Sequence, residues 1–145
     1  MNRVVELERL VPFAVERVFK IWTNPEKFPK WFLADQTMTL GKVEADIRVG
    51  GKFFIEMIVG GKILIHSGEY TRIAPNAELA FTWNSHMPLD KDSLVEVTFE
   101  SRGDKTLLKL RHTGCATEDS VKAHAAGWGS ILDHFEKYIS NGDTA

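Results

Sequence analysis

The sequence predicts an α+β domain: a curved antiparallel sheet of seven strands wrapped around one long C-terminal helix, with two short helices after the first strand. Three observations carry this. From residue 36 to 112, turn signals recur every 8–12 residues with no helical stretch between them, the pattern of an antiparallel meander. Val121, Ala125, Trp128, Leu132, Phe135 and Ile139 then step by four, three, four, three and four, which makes one apolar stripe on a helix. A sheet of this kind has one apolar face to cover. The long helix is the largest cover available, so the sheet must curl around it.

The elements follow in order. Residues 3–11 alternate as a strand, and Pro12 ends the ladder. Val15, Val18, Phe19 and Trp22 recur at helical spacing, giving a short amphipathic helix that ends near Thr23. Asn24-Pro25 restarts a helical piece over 25–31, with Asn24 as N-cap and Pro25 at the first helical position. Strands follow at 36–48, 52–59, 62–73, 78–84, 93–101 and 105–112. They are separated by Gly50-Gly51, Gly60-Gly61, Ala74-Pro75-Asn76-Ala77, a looser loop 85–92 containing His86 and Pro88, and Gly103-Asp104. Thr117, Glu118 and Asp119 suit the N-terminus of the last helix and Asn141-Gly142 its end, so it spans about 117–140.

The chain has 145 residues, 43% hydrophobic and 26% charged, so one domain over 1–145 with a sizeable core is expected. A net charge of −2 gives no reason to expect nucleic acid or an anionic membrane as partner. A single cysteine, Cys115, excludes an internal disulfide and a multi-cysteine zinc site. The first eleven residues lack the apolar run of a signal peptide. No stretch approaches the ~20 apolar residues of a membrane span. The expected location is the cytoplasm.

Side-chain parity assigns the inward face. Phe53, Ile55, Met57 and Val59 point in from 52–59; Leu79, Phe81 and Trp83 from 78–84; Val95, Val97 and Phe99 from 93–101; Leu108, Leu110 and His112 from 105–112. Trp128 and Leu132 meet them from the long helix, and His124 joins from the position before Ala125. Trp31, Phe32 and Met38 are placed at the mouth, because the short helices flank one end of the sheet. In 62–73 parity is ambiguous: Ile63, Ile65 and Ser67 share one face, and Leu64, His66, Gly68 and Tyr70 the other.

Several segments together carry a family resemblance. They are Ala14-Val15-Glu16-Arg17-Val18-Phe19, Trp22-Thr23-Asn24-Pro25-Glu26, Trp31-Phe32, Asp46-Ile47-Arg48-Val49-Gly50-Gly51, His66-Ser67-Gly68-Glu69-Tyr70, Ile73-Ala74-Pro75, Leu79-Ala80-Phe81-Thr82-Trp83, Leu110-Arg111-His112-Thr113-Gly114 and Gly127-Trp128. With the element order, they resemble the START-like (SRPBCC, birch-pollen-allergen-like) superfamily. Within it the chain is similar to the branch named after the activator of heat-shock protein 90 ATPase. The resemblance implies a helix-grip fold with a cavity between sheet and helix. It also turns the face of Leu64, His66, Gly68 and Tyr70 inward. The leading expectation is a hydrophobic or aromatic small molecule bound in that cavity, with His66, Tyr70, His112 and the Trp83 indole as polar tips. The alternatives are a chaperone-cofactor or other protein-interaction module, including a homodimer, and a cyclase- or hydrolase-type enzyme using a pocket histidine.

No metal or cofactor is expected. A zinc site needs three or four ligands, and His66 and His112 have no His-rich cluster of local ligand spacing around them. No Gly-x-Ser-x-Gly segment occurs, and the Gly-Gly pairs lack phosphate-loop context. Cys115 reads as an inert thiol, His134 as a solvated helix residue and His86 as a plain loop histidine. Asp46 and Arg48 form a surface charge pair of little worth if their strand faces water. Gly127 and Gly129 bracket Trp128 inside the helix, at about 1 kcal/mol each against alanine. They suggest close packing or a bend beside the cavity.

Overall fold

The computed structural model describes residues 3–85, 90 and 92–141. His86, Pro88 and Gly142 lie outside them. Strand β1 (Val5–Val11) leads into α1 (Val15–Trp22), a 3-10 turn (Pro25–Lys27) and α2 (Phe28–Trp31). Six strands follow: β2 (Thr39–Ala45), β3 (Lys52–Val59), β4 (Lys62–Ala74), β5 (Glu78–Trp83), β6 (Ser93–Arg102) and β7 (Lys105–Thr113). The chain closes on α3 (Glu118–Ser140). The strands form one sheet in the order β1-β7-β6-β5-β4-β3-β2, antiparallel throughout. No described helix is long and apolar enough to cross a membrane.

Local chemistry explains the joints. Gly60 and Gly61 both take positive φ between Val59 and Lys62, the requirement of a type I′ hairpin. The Asn24 side chain accepts from the Glu26 N–H ahead of Pro25, and the Thr117 side chain accepts from the Ser120 N–H at the start of α3, satisfying donors that a helix start leaves open.

Strand β2 is shorter than the predicted 36–48. At its entry, the Asp35 carboxylate takes the Thr37 N–H and hydroxyl at 2.8 and 2.7 Å and makes a turn. At its exit, Arg48 N–H bonds to the Asp46 carbonyl and Gly51 N–H to that of Arg48. Gly50 and Gly51 then pair with both backbone groups of Tyr70 at 2.8 and 2.9 Å. A Cβ on Gly51 would lie 2.0 Å from the Asp46 carbonyl oxygen, so the fold-back admits only glycine there. Asp46 and Arg48 form their ion pair in this exposed loop.

The concave face of the sheet and the inner side of α3 enclose the core. Strand β4 faces as the resemblance implied: His66 and Tyr70 are buried, Ile63 and Ile65 exposed. Gly68 pairs with Phe53, and a Cβ there would meet the Thr82 carbonyl oxygen at 1.9 Å and the Phe53 ring at 2.7 Å. The room left by Gly68 is thus taken by Phe53 and a neighbouring backbone.

Candidate functional site

Trp128, midway along α3, donates its indole N–H to His112 Nδ1 at 3.0 Å. An imidazole nitrogen that accepts is unprotonated, so the proton of neutral His112 sits on Nε2. Nε2–H donates to Ser93 Oγ at 2.8 Å, and the Ser93 hydroxyl donates to the Trp83 carbonyl at 2.7 Å. This buried chain ties the helix to β7, β6 and β5 in turn. Burial, then the adjacent His124, push the His112 pKa down to about 3, against a smaller upward pull from Asp90. The imidazole is neutral at neutral pH, as the chain requires.

A second polar group adjoins it. His124, one helical turn before Trp128, stacks edge-on against His112 with ring centroids 4.6 Å apart. Its Nδ1 lies 2.9 Å from the Ser120 carbonyl, 3.1 Å from Ser120 Oγ and 3.9 Å from Cys115 Sγ. Ser120 donates its hydroxyl to Asp90, whose other oxygen accepts the Ala116 N–H at 2.6 Å. Asp90, 3% exposed, is a buried carboxyl. Burial also raises the Cys115 pKa, which keeps the thiol protonated and a poor nucleophile.

Beside this cluster is a cavity of about 80 Å³ between α3 and strands β3 to β5. Met38, Met57, Leu64, His66, Trp83, His124, Trp128 and Ile131 wall it, with Ala34, Ala123 and Gly127. Exposed Ala123 and half-buried Ala34, Leu64 and Gly127 form its rim. Trp83 and Trp128 meet at 4.9 Å between ring centroids, and His66 tilts over Trp83 at 5.0 Å. His66 Nδ1 pairs with the Leu64 carbonyl at 3.1 Å. The Trp83 indole N–H is buried and has no hydrogen-bond partner among the described residues.

The side chains assigned to the interior by sequence are buried, save half-buried Val59 and Leu64, but of them only Met38, Met57, Leu64, His66, Trp83, His124 and Trp128 wall the cavity. Phe32, Phe53, Ile55, Tyr70 and Phe81 surround a void of only about 10 Å³ and pack ring against ring. Burial pushes the Tyr70 hydroxyl pKa up. Phe99 and Leu132 are core, and His112 lies behind Trp128. Trp31 is not at a mouth: it is fully buried, 4.8 Å from the Phe135 ring and 4.6 Å from Trp22. Phe32 is likewise core, whereas Met38 does line the cavity.

Sequence reading missed Ala34, Ala123 and Ile131 as lining, and Asp90, Ser93, Cys115 and Ser120 as neighbours. Small or ordinary core residues give no signal of a void. The buried partners of His124 come from three separate segments. Gly127 lines the cavity, and a Cβ there would touch Ala34 at an ordinary 3.4 Å, while one on Gly129 would meet nothing. Neither glycine marks unusually close packing. His134 is half-buried, its Nδ1 2.8 Å from the Ser130 carbonyl.

The sequence profile of the family described as Activator of Hsp90 ATPase homolog 1-like protein matches residues 12–140. No curated protein matches. Among solved structures, a Chromobacterium violaceum protein is 22% identical with a TM-score of 0.81, covering 93% of this chain and 96% of its own. An AHSA1-like protein from Aeromonas hydrophila is 25% identical with a TM-score of 0.80, covering 95% and 92%. CalU16 from Micromonospora echinospora is 26% identical with a TM-score of 0.73, covering 94% and 76%. The chain belongs to the Activator of Hsp90 ATPase homolog 1-like family, within the START-like superfamily.

Proposed function

We propose that this family member binds a small apolar molecule, of single-ring or short-chain size, in the cavity between α3 and strands β3 to β5. The observation that carries the reading is the cavity wall: two tryptophans, two methionines and aliphatic side chains, with His66 and His124 as polar points. Apolar lining with few polar groups is the makeup of small-molecule sites. The volume sets the class. About 80 Å³ is below the roughly 300–1,000 Å³ of drug-sized pockets, so a larger ligand must displace Met38 and Met57, whose unbranched thioethers repack readily. The two histidines suit a ligand with one polar atom on an apolar body.

The test is titration with toluene and phenol, read by tryptophan fluorescence and calorimetry, beside native mass spectrometry of the freshly purified protein. Saturable binding is expected, tighter for phenol, and weakened more by Trp128→Ala than by Phe54→Ala on the outer face. Leu64→Trp at the rim fills the cavity and abolishes binding while circular dichroism stays native. Equal effects of Trp128→Ala and Phe54→Ala, or undiminished binding in Leu64→Trp, would sink the assignment.

A second reading, docking of another protein, is favoured by Ile63 and Ile65. They are 58% and 48% exposed on the outer face of β4, with Ile58 paired beside Ile63. Ile63→Lys with Ile65→Lys would then abolish binding to heat-shock protein 90 in calorimetry. No heat of binding with the unaltered chain removes that version.

A further inference from the structure

We propose that His112, Cys115 and His124 form a binding site for a divalent metal ion of the zinc class, with the buried Asp90 carboxyl beside it. One donor atom from each of the three lies within 4.8 Å of the others, and all three residues are buried. The Ser120 carbonyl, 2.9 Å from His124 Nδ1, holds that ring's proton there and leaves Nε2 as its lone-pair nitrogen, and Asp90 Oδ2 lies 4.0 Å from the same Nδ1. Ligands of a tetrahedral zinc ion at ordinary bond lengths stand roughly 3.3–3.6 Å apart. From separations of 4.8 Å or less, closing of the three onto an ion asks for movements of about 1 Å. Two imidazoles and a thiolate are donors that zinc accepts.

Charge favours the same assignment. Among the described residues, buried Asp90 has the Ala116 N–H and the Ser120 hydroxyl as its hydrogen-bond donors. A divalent ion held by one thiolate and two neutral imidazoles, with one carboxylate beside it, makes a group that is neutral overall, which suits an interior that penalises net charge. On binding, the Cys115 thiol proton leaves to solvent. The surroundings orient the ligands as metal sites require. The Ser93 bond keeps the His112 proton on Nε2, which leaves Nδ1 as the lone-pair nitrogen. The ion would take that lone pair from the Trp128 N–H, releasing an indole that walls the cavity. His124 also lines the cavity, which gives an ion its way in.

The experiment uses the full chain, chelator-treated and reduced with a phosphine, titrated with cobalt(II) and then zinc(II). One equivalent of cobalt is expected to give thiolate-to-metal absorption in the near ultraviolet and the intense visible bands of a four-coordinate ion, both bleached by zinc. Cys115→Ser loses the ultraviolet band, and His124→Gln and Asp90→Asn weaken binding. Ser93→Ala, which only orients His112, lowers affinity by about 10–100-fold. Weak bands without thiolate absorption from the folded, unaltered protein overturn the proposal, and that spectrum decides even if a variant fails to fold. So does a thiolate band that survives both His112→Gln and His124→Gln in folded protein.

Discussion

The two halves of α3 meet the sheet in different ways. Around Phe135, the C-terminal half presses on Trp22 and Trp31 at 5.1 and 4.8 Å between ring centroids. Phe99 continues the cluster through its edge contact with Trp22. Around Trp128, the N-terminal half meets a histidine, a serine hydroxyl, a buried carboxyl, a thiol and a cavity. The first half is held by area and packing, with little direction required. The second is held by a few directional bonds whose loss leaves buried groups unmet. Stability is thus concentrated in one half, and chemistry in the other.

The comparison breaks hardest at Phe135. Phe135→Ala removes a fully buried ring, and a loss of about 3–5 kcal/mol in urea unfolding is expected. A loss below about 1 kcal/mol would show that the ring cluster is not the stabilising half. Trp128→Phe keeps an apolar ring but removes the donor to His112 Nδ1. A cost of about 1–3 kcal/mol is expected, recovered in part when His112 is also changed to Leu, as a double-mutant cycle reads.

Acid sharpens the contrast next. The folded, metal-free protein holds His112 neutral down to about pH 3, whereas the unfolded chain takes up a proton below about 6.5. Between these values the unfolded state binds more protons, so stability is full above about pH 6.5 and is lost progressively as pH falls toward 3. From this residue alone, the loss between about pH 7.5 and 5.5 is about 1.4 kcal/mol. His112→Leu should flatten that slope while Phe135→Ala leaves it in place; an unchanged slope in His112→Leu would show that another group takes up the proton.

The smallest expected effect is at Gly129, whose missing Cβ would meet nothing. Gly129→Ala should stabilise by about 0.5–1 kcal/mol through helix propensity, visible as a raised melting temperature. A destabilised variant would mean that this turn of α3 needs glycine after all.

Much of the interior is legible in the sequence. Strand parity places Phe53, Ile55, Met57, Phe81, Trp83 and Phe99 inside, and the helical stripe places Trp128, Leu132 and Phe135, because periods of two and about 3.6 are written into neighbouring residues. The ends of β2 are less legible, since the Asp35 turn and the Gly50-Gly51 fold-back onto Tyr70 depend on side-chain and cross-strand bonds. The polar cluster leaves a partial trace. His112 and Cys115 are three residues apart, but His124 and Asp90 reach them only when α3 closes on the sheet.

By itself, then, the sequence determined the elements, their order and the face each one buries, since these follow from short-range patterns of apolar residues, glycine and proline. Tertiary structure alone decided that the interior candidates divide into a packed core and a few cavity walls, and that two histidines, a thiol and a carboxyl share one buried spot. The reason is physical. A void is the difference between the space that closed elements enclose and the summed volume of the side chains filling it. A cluster of donors depends on where distant segments end in space, and neither quantity is carried by any local stretch of chain.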